Sequence, residues 1–192
     1  PMHTPPANRE PELLDERSAR DFRTAFGELL TSSSFVDTAI LRIRLGAVDL
    51  SPRELRRLRG FRVLVADVNA RTVEEEAYAM AVDPGKRENL DRILSLLKTG
   101  VMEIRSAPLG GWSPDFTVFS GGSGPFGLLI GLHWFHRPFP RRGPAFASRF
   151  GPEEALLAHR RFQELWPVAH DIGDAVGGLM ERTATRGIRG GR

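Results

Sequence analysis

The residues able to do chemistry gather in the second half of the chain. His133 and His136 form a His-x-x-His pair. On a helix this spacing puts both imidazoles on one face, where zinc is the ion they would take. In a strand, residues i and i+3 point to opposite faces, and the surrounding run reads as a strand. The pair is therefore read as a half-buried His133 and a loop His136 bonded to backbone, and no metal site or cofactor is expected. Asp115, after Pro114, opens another strand. Beside Arg105 or His133 it could act as a catalytic acid or a ligand-reading group. Asp115, His133, His136 and Arg105 are the candidate catalytic set. His170-Asp171, with Asp174 nearby, has the makings of a general base and its orienter, but no nucleophile stands beside it. It is read as a packing contact on the last helix.

Arginine supplies almost all the positive charge, since Lys86 and Lys98 are the only lysines, and the formal net charge is +3. Such a balance by itself favours neither nucleic acid nor membrane. Two arginine clusters stand out. Arg53, Arg56, Arg57, Arg59 and Arg62 form one, read chiefly as a solvated face. Arg137, Arg141, Arg142 and Arg149 form the other, interleaved with Trp134, Phe135, Phe139 and Phe146. Aromatics among arginines can stack bases while guanidinium groups hold phosphates. Arg137, Arg141, Arg142, Arg149 and Trp134 are the expected nucleic-acid contacts. The glycine turns Gly110-Gly111 and Gly121–Gly124 are connections, because no Lys-Ser or Lys-Thr follows them and no helix begins there.

These residues need a scaffold. Hydrophobic residues at 41% and charged residues at 27% are the balance of an ordinary globular domain. Cysteine is absent, which removes disulfides and thiolate chemistry and fits a cytoplasmic setting. No apolar run reaches the length of a membrane span. Residues 1–11 are polar and proline-rich, and are expected to be a disordered tail without a leader sequence. Pro1 ahead of Met2 leaves the full extent of the protein open.

Apolar spacing predicts a helix over Leu13–Leu30 and a strand over Phe35–Leu45, interrupted by Asp37. Ser51-Pro52-Arg53-Glu54 is a capping box opening a short helix. FRVLVADV at Phe61–Val68 has the apolar density of a buried strand. Helices follow at Thr72–Ala81, with Thr72 as cap, and at Arg87–Lys98, stopped by Gly100. Strands are expected at Val101–Ala107, Asp115–Ser120 and Phe126–Phe135, and a loop at Arg137–Gly143. Helices then cover Pro152–Trp166 and Val168–Glu181, and residues 183–192 are expected to fray as a second tail. The alternation implies one α/β domain over residues 12–182, with a mixed, largely parallel sheet and helices on both faces.

This succession resembles a single half of the phospholipase D superfamily. Phe61–Asp67 stands where that family has an "rvLv" strand, and Met102–Ser106 where it has an "eiR" signature. Gly131 matches the glycine of Gly-Ser-x-Asn, and HRRFQELW at His159–Trp166 resembles the closing helix. The resemblance covers roughly residues 35–170. It implies a histidine nucleophile, a lysine that neutralises phosphate, and a serine and asparagine completing the cradle. Aligned on the strands, those places hold Asp115, Thr117, Leu132 and Trp134. An anion replaces the nucleophile, and the cation is lost. The expected function is therefore a non-catalytic binding or regulatory module contacting nucleic acid or a partner protein. The alternative is a phosphodiesterase-like enzyme with a cleft rebuilt from Asp115, His133, His136 and Arg105. Single-half members of this family pair across a two-fold axis. A homodimer closing over the apolar Leu132–Phe135 stretch is the corresponding expectation.

Overall fold

The computed structural model describes residues 11–15, 19–43, 50–107, 115–131 and 146–190. Eight strands form one sheet: β1 (Glu12–Asp15), β2 (Phe35–Arg42), β3 (Gly60–Asp67), β4 (Met102–Ser106), β5 (Phe116–Gly121), β6 (Gly124–Gly131), β7 (Phe146–Phe150) and β8 (His170–Asp171). Their order across the sheet is β1-β7-β6-β5-β2-β3-β4-β8. The five strands read from the sequence share this sheet. It is mixed, with β2–β3 and β3–β4 parallel and every other neighbouring pair antiparallel. Parallel pairing is thus narrower than "largely parallel" and confined to the centre. The reason is local: β2, β3 and β4 follow one another through helical crossovers, whereas β5 and β6 form a hairpin.

The helices are α1 (Ala19–Ser32), α2 (Pro52–Leu55), α3 (Ala70–Val82), α4 (Pro84–Lys98), α5 (Pro152–Leu165) and α6 (Gly173–Gly190). Their starts follow capping chemistry. Ser51 accepts the Glu54 N–H while Glu54 accepts the Ser51 N–H, which closes the capping box of α2. Asp83 caps α4 through the Gly85 N–H, with Pro84 in the first turn. Gly100, at φ 70°, terminates α4 in the left-handed region where glycine carries no Cβ penalty.

The sheet separates two apolar layers. On one face Val36, Ile40, Phe61, Val63 and Phe119 pack against α1, α3, α4 and α6. On the other, Ala39 and Leu64 meet Phe162 and Trp166, while Val118 and Leu128 meet Ala155, all beneath α5. Strand alternation produces this division: neighbours in β2 and β3 point to opposite faces. Helices on both faces of a mixed sheet are therefore observed.

Several boundaries differ from the sequence reading. Leu14, expected within the first helix, lies in β1, because Glu12–Asp15 pairs with β7 before the helix starts. Asn69 rather than Thr72 caps α3, accepting the Arg71 and Thr72 N–H groups. β7 was not anticipated. His170-Asp171 form a short strand beside β4 instead of lying on a helix. The expected tail from Thr183 onward is helical to Gly190, held by the buried Thr183 and by Gly187 against α3. The Arg137–Gly143 loop lies outside the described residues.

Candidate functional site

The ends of β2, β3 and β4 and the start of β5 meet at one margin of the sheet, where the sequence placed its chemistry. Asp115 immediately precedes β5. Its Oδ1 accepts the Leu41 N–H at 2.7 Å, so the carboxylate caps the end of β2. Thr117, two residues on, is wholly buried. Its hydroxyl lies 2.7 Å from that of Thr38, directly opposite in the β2–β5 register. The Thr38 hydroxyl can donate to the Phe116 carbonyl at 3.2 Å, which leaves Thr117 as donor to Thr38. The place that the sequence resemblance gives to a lysine thus holds a neutral hydroxyl inside the sheet. His133, Trp134, His136, Arg137, Arg141 and Arg142 lie outside the described residues, as does Leu132.

Arg105 does not meet Asp115. It stands on β4, with β2 and β3 between it and β5. Its Nη1 donates to the Trp166 carbonyl at 3.1 Å, and its guanidinium lies 4.5 Å from the Trp166 ring centroid. Arg149, on β7, is paired with Glu28 at 3.4 Å and Glu12 at 3.9 Å, and its side chain is only 16% exposed. Asp171 accepts the Gly173 N–H at 2.9 Å, which is turn chemistry at the start of α6. Among the described residues, no group of three or more His, Cys, Asp or Glu could hold a metal ion.

A second polar constellation lies beneath α5. Asp37 is 1% exposed on the α5 face of β2. Arg62, its neighbour in the β2–β3 register, donates from Nε to Oδ1 at 2.7 Å and from Nη2 to Oδ2 at 2.9 Å. His159 of α5 brings Nδ1 to 3.0 Å from Oδ2. Its Nε2 is 3.3 Å from the Gln163 amide nitrogen, one helical turn on. A tautomer with its proton on Nδ1 satisfies both contacts, donating to the carboxylate and accepting from the amide. Phe162 and Trp166 stack at 5.3 Å, and the Arg62 guanidinium lies over both rings, at 5.1 and 5.3 Å. Asp37 therefore gathers α5 onto the sheet through a bidentate charge pair and an imidazole. Its signal in the sequence was the one acid in an otherwise apolar strand face, which was read only as an interruption. Arg62 was assigned to a surface cluster.

No family model matches the chain, and no curated protein does. Solved structures do. NucT from Helicobacter pylori superposes with a TM-score of 0.54 at 11% identity, covering 84% of this chain and 98% of that one. Nuc from Salmonella typhimurium, described as a phospholipase D family member, gives 0.49 at 9% identity, with coverage of 84% and 98%. TrmBL2, described as an archaeal chromatin protein with a novel mode of DNA binding, gives 0.49 at 13% identity; the match takes in 85% of this chain but only 55% of TrmBL2. The fold is phospholipase D-like. No helix among the described residues is long and apolar enough to cross a membrane.

Proposed function

We propose that this chain is a binding or regulatory module on a phospholipase D-like fold, silent as a metal-independent phosphodiesterase, with nucleic acid as its ligand. The observation that carries this reading is Thr117. A phosphoryl group transferred through histidine needs a cation against its oxygens. At the aligned place the side chain is neutral, buried and bonded to Thr38. Asp115, in the nucleophile's place, is an acid engaged with the Leu41 amide. The arginines and aromatics of the Trp134–Arg142 segment support nucleic acid over lipid, and the absence of cysteine suits a cytoplasmic setting. A partner protein is the other outcome.

The rebuilt-cleft enzyme has less behind it, because Asp115 and Arg105 are engaged with separate partners and two strands lie between them. The test is hydrolysis of DNA and of a phosphodiester model substrate in the presence of a chelator. No turnover is expected. Turnover abolished by Asp115→Ala would replace this reading with the enzyme.

A further inference from the structure

The end of the sheet opposite Asp115 carries a different surface. Between Ser51 and the start of β3 the chain holds Arg53, Arg56, Arg57 and Arg59, all exposed. None of the four forms an ion pair with a described residue, whereas Arg42, Arg62, Arg71, Arg92, Arg149 and Arg161 each do. The one acid in that segment, Glu54, turns its carboxylate to the Ser51 N–H at 2.9 Å. The arginines were read from the sequence as a solvated face, and four of them between Arg53 and Arg59 concentrate positive charge there.

An aromatic ring adjoins the last of them. The Ser34 carbonyl accepts the Arg59 N–H at 2.7 Å and the Gly60 N–H at 3.3 Å, which fixes this segment against the start of β2. Phe35, the first residue of β2, is opposite Gly60 in the register and 46% exposed. Its ring lies on Gly60 so closely that a Cβ there would come within 2.9 Å of Cδ1. Glycine therefore lets the ring rest on backbone while its other side meets solvent.

We propose that this end of the sheet binds single-stranded nucleic acid, the four arginines holding successive phosphates and Phe35 stacking on a base. Guanidinium forks match phosphate oxygens. An exposed ring can stack only on a base that is not already paired and stacked in a duplex. The inference rests on the nucleic-acid reading above and assigns it to the surface beside the starts of β2 and β3.

The test is fluorescence anisotropy of the full chain with a labelled oligothymidine and a labelled duplex. Four phosphate contacts on a single strand give a logarithmic salt slope of about −3, or about a 50-fold loss of affinity between roughly 50 and 200 mM salt. Replacing all four with glutamine (Arg53→Gln, Arg56→Gln, Arg57→Gln, Arg59→Gln) should remove most of that slope and about tenfold or more in affinity. Phe35→Ala should weaken binding about tenfold with the slope unchanged. All five side chains are exposed, so circular dichroism should show folding intact. Duplex bound more tightly than the single strand would overturn the single-strand assignment. A quadruple variant that binds like the parent, while Arg137→Gln/Arg141→Gln/Arg142→Gln does not, would overturn the surface and leave the proposed function standing. A parent chain that binds neither probe would overturn both.

Discussion

Asp37 and Arg62 stand directly opposite each other in the β2–β3 register, and two hydrogen bonds of 2.7 and 2.9 Å join them beneath α5. The carboxylate is 2% exposed and the guanidinium 23%, so the pair is largely withdrawn from water. Removing one partner of such a pair leaves a buried charge uncompensated. Asp37→Ala is expected to cost about 3 kcal/mol, the low end of the range for buried pairs because Arg62 retains some solvent. Replacing both residues with apolar ones should recover much of that loss. Urea unfolding reads it, and an unchanged midpoint for Asp37→Ala would mean the pair contributes no net stability.

Trp166 ties the same layer together from α5's end. It is 7% exposed, stacks on Phe162 and lies under both Arg62 and Arg105. Trp166→Ala should cost about 4 kcal/mol, lowering the melting temperature by about 10 °C for a chain of this size. Trp166→Phe, which keeps an aromatic face for the guanidinium groups, should lose markedly less. Equal losses would mean that a phenyl ring recovers none of what the indole contributes.

Thr117→Lys puts back the cation of the aligned lysine. Because the site is wholly buried and its hydroxyl is paired with Thr38, an ammonium there would be withdrawn from solvent. Destabilisation of about 3 kcal/mol or more is expected, with no gain of phosphodiester hydrolysis. Hydrolysis appearing in this variant would show that the cleft lacks the cation alone.

Association is checked by light scattering at micromolar concentration. If the Leu132–Phe135 stretch closes a two-fold interface, the parent chain has twice the monomer mass and Trp134→Ala shifts it toward monomer. A monomeric parent of unchanged mass on substitution sinks the dimer.

The sheet's centre was legible because FRVLVADV has no face to spare for water, and buried strands advertise themselves that way. Capping chemistry made α2 readable, since Ser51, Pro52 and Glu54 signal through local bonds, whereas the start of α4 at Asp83-Pro84 was missed. The edges were not legible. Leu13 and Leu14 fit a helical stripe as well as a strand, and only pairing with β7, distant in sequence, makes Glu12–Asp15 extended. β8 has two residues, too few for any period. At the candidate site, Asp115 and Thr117 were found from their place in the strand. The Asp37–Arg62–His159 cluster was not, because its three residues come from separate elements and only the register and the docking of α5 bring them together. Phe35 and Gly60 adjoin for the same reason.

The pairing of β1 with β7 sets an order of events during synthesis. Glu12 faces Arg149 and Leu14 faces Ala147, so the partner of β1 is translated long after β1 itself. At typical elongation rates that interval is on the order of ten seconds. Until then β1 has no ladder to join, and once β7 has docked on β6 its outer edge stays open for other chains until β1 arrives. Non-local closure of this kind slows folding. The nascent chain is thus most prone to aggregate after its core has formed, through an edge that β1 must return to cover.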